Sequence, residues 1–103
     1  EDLRGGIFSH ADLRASDLSR SEASGVDFEC AYMAAANLCM LCASGGIFRY
    51  TNCRGVDMRG ADFSSADCRC GVFRGVDDTG CNWQAALTLG ADFSGSKSGG
   101  MRS

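Results

Sequence analysis

The sequence predicts an all-β fold, a solenoid of stacked short strands, and three observations predict it. Large apolar side chains return at every fifth residue from Leu3 to Phe93. The residue two places before each of them is small almost throughout. The column two places after them is the main home of glycine. A helix repeats near 3.6 residues and a strand near 2, so a period of five is neither one alone.

The large-residue column holds Leu3, Phe8, Leu13, Leu18, Phe28, Met33, Leu38, Phe48, Met58, Phe63, Phe73, Trp83 and Phe93, with Ala23, Ala43, Cys53 and Cys68 in register. All six phenylalanines of the chain lie in it. In the small column, which includes Ala11, Ser16, Ala31, Gly46 and Ala61, Leu41 is the one bulky apolar exception. Between the two columns sits Asp or Asn, where nine of the ten aspartates fall. Just after the large residue comes Arg or Ser, with seven of the nine arginines. The last column takes ten of the fourteen glycines. Alternation along a short strand puts the small and large residues on one inner face and turns the Asp or Asn outward. Glycine then tolerates the dihedral that turns the corner. So small a unit cannot bury its own centre, and units must stack. The absence of proline fits continuous backbone pairing, which a missing N–H would interrupt.

These units resemble the pentapeptide repeat family, with its consensus A-(D/N)-L-x-x. The pattern is read in Ala11-Asp12-Leu13-Arg14-Ala15, Ala36-Asn37-Leu38-Cys39-Met40, Ala61-Asp62-Phe63-Ser64-Ser65 and Ala91-Asp92-Phe93-Ser94-Gly95. The resemblance implies a right-handed quadrilateral β-helix with four pentapeptides to a coil and about five coils in all. At a spacing of about 4.8 Å per rung, that solenoid would be some 24 Å long. The repeat is expected to occupy residues 1–98, with a C-terminal tail at 99–103.

On that geometry residues twenty apart stack. The inner columns become Phe8, Phe28, Phe48, Cys68, Thr88; then Leu13, Met33, Cys53, Phe73, Phe93; then Leu3, Ala23, Ala43, Phe63, Trp83; and last Leu18, Leu38, Met58, Asp78, Ser98. Asp78 breaks the apolar rule, and the expectation is that its face opens there so that the carboxylate reaches water. Outside, Arg14, Ala34, Arg54 and Arg74 stack, with Arg49 and Arg69 beside them, as a local basic patch. Asp17, Asn37, Asp57 and Asp77 form an acidic ladder. Outward positions are apolar at Ile7, Tyr32, Met40, Cys42, Ile47, Val72, Leu87 and Leu89, and the segment from Cys30 to Phe48 is nearly uncharged. The alternatives there are a partner surface or a short helical excursion over 31–43, which is rich in helix formers.

Composition narrows the function classes. With 103 residues there is room for one domain. A net charge of −3 argues against a nucleic-acid binder, which would usually be basic. No run of about 18 apolar residues is present, so no membrane span is expected, and no signal-peptide pattern opens the chain. Glu1 stands where a start Met would, and the repeat is already in register there. A longer protein is therefore expected, with the N-terminal end covered by a neighbouring segment or chain. Seven cysteines cannot all pair, and free cysteine behaves as a small apolar residue. A reducing compartment follows, cytoplasm or chloroplast stroma. The resemblance adds the thylakoid lumen or the surface of a membrane complex as alternatives.

No catalytic constellation is legible. Cys39 and Cys42 form a Cys-x-x-Cys and Cys68 and Cys70 a Cys-x-Cys, but the coil does not converge them as zinc needs. A redox pair at Cys39 and Cys42 lacks the supporting strand–helix context. His10, the only histidine, has no nucleophile beside it. The expected function is a non-catalytic scaffold or protein-interaction module, without cofactor or metal, within a larger assembly. Its docking surface is expected to centre on Tyr32, Met40, Cys42 and Ile47, with Arg49, Arg54, Arg69 and Arg74 rimming or extending it. The alternative comes from the resemblance: some pentapeptide repeat proteins are similar to a rod of duplex DNA and bind topoisomerases, protecting gyrase from quinolones. Against that set this chain is short and only weakly acidic.

Overall fold

Five residues make one side of a coil and four sides close it. The computed structural model describes residues 2–97. In each unit the second residue bridges, in parallel, to the residue twenty places on, as in Asp12↔Tyr32↔Asn52↔Val72↔Asp92. Four such ladders define four faces. Face 1 carries Asp2, Glu22, Cys42, Asp62 and Asn82; face 2 carries Ile7, Asp27, Ile47, Asp67 and Leu87. Face 3 carries Asp12, Tyr32, Asn52, Val72 and Asp92, and face 4 carries Asp17, Asn37, Asp57 and Asp77. The protein is a right-handed quadrilateral β-helix. Its longest extent is 30 Å, in keeping with about five rungs plus side chains.

Backbone hydrogen bonds explain why the pattern recurs in fives. The centre N–H donates to the second-residue carbonyl one coil above, as from Phe28 to Ile47 at 2.8 Å. The second-residue N–H donates to the first-residue carbonyl one coil below, as from Ile47 to Val26 at 2.9 Å. At nearly every corner the N–H of the next unit's first residue donates to the preceding centre carbonyl, as from Ala31 to Phe28 at 2.9 Å. That three-residue closure with positive φ at its third position is type II turn geometry. Positive φ falls on every fifth residue from Gly5 to Gly95, nine glycines and ten other residues, the latter between 58° and 62°. For a side chain that region costs roughly 1–2 kcal/mol, which the ladder outweighs at those ten corners.

Inside, coils two to four are closed. Phe28, Phe48, Phe63, Phe73, Met33, Leu38, Leu41 and Met58 are fully buried, so Leu41 fits as a core residue despite its size. Leu3, Phe8, Leu13 and Leu18 are only partly buried, because their coil has one packed neighbour instead of two. The phenylalanine ladder does not fade with Cys68. It crosses from face 2 to face 1, running Phe8–Phe28 (5.6 Å), Phe28–Phe48 (5.1 Å), Phe48–Phe63 (4.7 Å) and Phe63–Trp83 (5.2 Å). Trp83 then meets Phe73 and Phe93 edge-on. Glycine at the first position makes room for such rings: a Cβ on Gly71 would lie 2.7 Å from the Phe73 ring. The buried Thr51 hydroxyl is satisfied by donating to the Phe48 carbonyl at 2.9 Å.

Two expectations are corrected. No helical excursion interrupts 31–43; those units bridge and turn like the rest, because the interior accepts Leu41 without distortion. Face 4 does not open at Asp78, which is 0 % exposed. The stack continues into the next coil, where Trp83 and Phe93 are also buried. The expected tail at 99–103 lies outside the described residues.

Replacing Phe48 with alanine should cost about 3–5 kcal/mol in chemical denaturation, whereas exposed Gln84→Ala should cost under about 0.5 kcal/mol. Equal losses would refute the register. Gly55 has φ of +68° and nothing within 4 Å of an added Cβ, so Gly55→Ala tests dihedral strain alone. It should lose about 1 kcal/mol, while Ala35→Gly on the same corner should move the melting temperature the other way.

Candidate functional site

Outward chemistry starts from the second and fourth residues of the unit, which sit two apart across the start of the corner. Where the second is Asp or Asn, its side-chain oxygen accepts the fourth residue's amide, as Asp27 does from Glu29 (2.9 Å) and Asn37 from Cys39 (3.0 Å). Where the fourth is arginine, the carboxylate also receives the guanidinium side-on. Arg4 on Asp2, Arg14 on Asp12, Arg59 on Asp57 and Arg69 on Asp67 each donate through Nε and Nη2 at 2.6–2.9 Å. Such bidentate pairs are the stronger kind of surface ion pair. The Arg14 side chain holds the Asp12 carboxyl down to about 2. Arg59 and Arg69 likewise lower Asp57 and Asp67. A carboxylate depressed by folding stabilises the fold above its ordinary value of 3.8 and loses that contribution as pH falls toward 2.

The acidic ladder of face 4 is therefore not a bare row of charge. Asp17 accepts from the Ser19 hydroxyl (2.6 Å), Asp57 from Arg59, and Asp77 from the Thr79 hydroxyl (2.7 Å).

The eight expected docking residues do not share one surface. Tyr32 is on face 3, Met40 at the corner between faces 4 and 1, Cys42 on face 1 and Ile47 on face 2. Tyr32 and Cys42 are two units apart in a four-unit coil, which puts them on opposite sides however close in sequence. Met40 is spent locally, its sulfur lying over Gly60, where a Cβ would come within 2.5 Å of it. Tyr32 is stacked under Arg14, whose guanidinium carbon sits 4.7 Å from the ring centroid. The four arginines do gather. Arg49 and Arg69 line one edge of face 3, and Arg54 and Arg74 line the other.

Between Arg49 and Arg69 the sequence reading missed a residue. Tyr50 occupies a corner position with φ of 60° and is 61 % exposed. With Arg49, Arg69, Cys70, Leu89 and Gly90 it lines a groove of about 360 Å³. Leu89 projects there at 81 % exposure. The available signal was a bulky aromatic in the glycine column, where a side chain is strained and needs a reason.

All seven cysteines are free. Cys53, Cys68 and Cys81 are buried, and burial pushes the Cys53 thiol up to about 12 and raises the other two as well. Cys39 and Cys42 flank a corner, and among the described residues no three His, Cys, Asp or Glu side chains gather as a metal site. Since the thiolate is the reactive form, native protein treated with a maleimide should be labelled first at exposed Cys70. Partly exposed Cys30, Cys39 and Cys42 should follow, and Cys53, Cys68 and Cys81 only on unfolding, as read by peptide mass spectrometry. Early labelling of Cys53 would contradict the closed core.

Comparison with known proteins agrees with this architecture. Among the described residues no helix is long and apolar enough to cross a membrane. No curated protein matches the chain. Similar solved structures include the pentapeptide repeat protein Rfr23 from the cyanobacterium Cyanothece 51142, at 23% identity and TM-score 0.83, with 92% of this chain and 62% of that one covered. A pentapeptide repeat protein of the Arabidopsis thaliana thylakoid lumen matches at 26% identity and TM-score 0.45, over 92% and 59% of the two chains. HetL, a pentapeptide repeat protein involved in heterocyst differentiation regulation in Nostoc, matches at 20% identity and TM-score 0.49, over 92% and 48%. The chain thus spans between about half and three-fifths of the length of these proteins. A family profile for pentapeptide repeats matches in eight copies over residues 2–39 and 47–77. With that match laid over a coil whose every side is one five-residue unit, the chain belongs to the pentapeptide repeat family.

Proposed function

We propose that the protein is a non-catalytic scaffold module, a subunit or segment of a larger assembly, that docks another protein through face 3 and its two edges. The observation that carries this is the groove where Tyr50 and Leu89 project beside Arg49 and Arg69. An exposed tyrosine and leucine flanked by half-buried, ion-paired arginines are what interface anchors are made of. The interior of the coil is filled with side chains, and pentapeptide repeat proteins are generally non-catalytic. Tyr50 also sits where backbone strain favours glycine, so its ring is kept against a local cost.

The topoisomerase-directed alternative would use the Asp17, Asp57 and Asp77 ladder as a DNA-like face. Those carboxylates are engaged by Ser19, Arg59 and Thr79 as Arg49 and Arg69 are by Glu29 and Asp67, but the groove also carries exposed Tyr50 and Leu89, which favours the face 3 reading. A gyrase supercoiling assay with the purified protein tests the alternative.

The direct test places a photo-crosslinking residue at position 50, or at exposed position 85 on the corner between faces 1 and 2, off face 3, in the source cells. Position 50 should yield a discrete protein adduct and position 85 none. Leu89→Asp should weaken capture of that partner by roughly 1–3 kcal/mol with the melting temperature kept. Equal adducts from both positions, or none from position 50, would overturn the proposal.

A further inference from the structure

The seven arginines at the fourth position of the unit divide by what precedes them. Arg4, Arg14, Arg59 and Arg69 each follow an aspartate two residues earlier and are paired with it. Arg49 follows Ile47, Arg54 follows Asn52 and Arg74 follows Val72, so none of the three has a carboxylate in its own unit. Arg49 recovers across rungs, reaching Glu29 at 3.1 Å and Asp67 at 3.6 Å. Arg74 reaches Asp92 only through Nε, at 3.7 Å. Arg54 has no carboxylate within 4.0 Å among the described residues; Asn52 accepts its amide at 3.2 Å and leaves the guanidinium to solvent.

Arg54 and Arg74 stand one rung apart on the corner between faces 3 and 4. With Gly75, Ser94 and Gly95 they line an open groove of about 500 Å³. Gly75 leaves its floor bare, since a Cβ there would meet nothing within 4 Å, whereas one on Gly95 would touch Gly75 at 3.6 Å. Val72 also deprives the Arg74 amide of the side-chain acceptor that Asn52 and Asp92 give to Arg54 and Ser94. Two guanidinium groups and the Arg74 amide thus lie along one groove; the Ser94 hydroxyl there is bonded to Asp92, the one carboxylate among the described residues that both arginines act on. That is a donor set for carboxylates or other oxyanions.

We infer that this corner binds an acidic, extended segment of a partner protein, its carboxylates seated on Arg54 and Arg74. The groove's volume, about 500 Å³, is more than a single small anion fills. Alternate side chains of an extended segment lie about 6.8 Å apart, within reach of two arginine forks rooted about 4.8 Å apart. The local positive charge stands on a protein of net charge −3, so the complementarity is confined to this edge. The inference deepens the docking reading of face 3 by naming the chemistry of one side of the contact.

The test uses a fluorescein-labelled eight-residue peptide alternating glutamate and glycine, titrated with the full chain and read by anisotropy at low salt. Saturable binding is expected, and Arg54→Gln with Arg74→Gln should weaken it about tenfold. Asn52→Asp with Val72→Asp should weaken it equally, because each arginine then gains an own-unit partner while remaining in place. Arg59→Gln, at a corner whose arginine is already paired, should change nothing. No saturable binding, equal loss with Arg59→Gln, or no loss with the aspartate pair would overturn the inference. So would full displacement by inorganic phosphate at matched ionic strength, or tighter binding of a single-stranded DNA of equal charge. The two readings fail separately. A partner captured at position 50 that ignores Arg54 and Arg74 leaves docking intact and ends this inference. Peptide binding without an adduct at position 50 does the reverse.

Discussion

Everything in this protein hangs on the corner hydrogen bond that closes each five-residue unit onto the next. The first-residue N–H donates to the preceding centre carbonyl, and the fifth residue must take positive φ to allow it. Positive φ at nineteen corners keeps the chain in step from Gly5 to Gly95 without a slipped residue. Because the register holds, the first and third side chains always point inward and the second always points out. A single insertion would exchange inside for outside in every unit beyond it.

The interior answers that constraint with complementary sizes along the strand and down the stack. Glycine at position 71 yields space that Phe73 takes up, and Cys68 leaves room for the aromatic column to pass from Phe48 to Phe63. Outside, the same two-residue spacing sets an aspartate beside an arginine, so much of the surface charge cancels within its own unit. Function is then best sought where the unit departs from its rule: Tyr50 in the glycine column, and Val72 and Asn52 where aspartate would quench an arginine.

The five-residue period alone determined a good deal. Which residues lie inside, where the chain turns and which aspartates cap a following amide all depend on neighbours within one unit, and they were legible for that reason. The four-sided coil came through family resemblance, since a period of five does not say how many units close a turn. Tertiary structure decided what depends on pairing between rungs and across the coil. It buried Asp78, set Tyr32 and Cys42 on opposite sides, and laid Met40 over Gly60. It also sorted the arginines, giving Arg49 two carboxylates from neighbouring rungs and leaving Arg54 none within reach. The physical reason is distance along the chain. Hydrogen bonds and dihedrals act over two or three residues and repeat visibly in the sequence. Contacts between residues twenty apart are made only once the coil has closed.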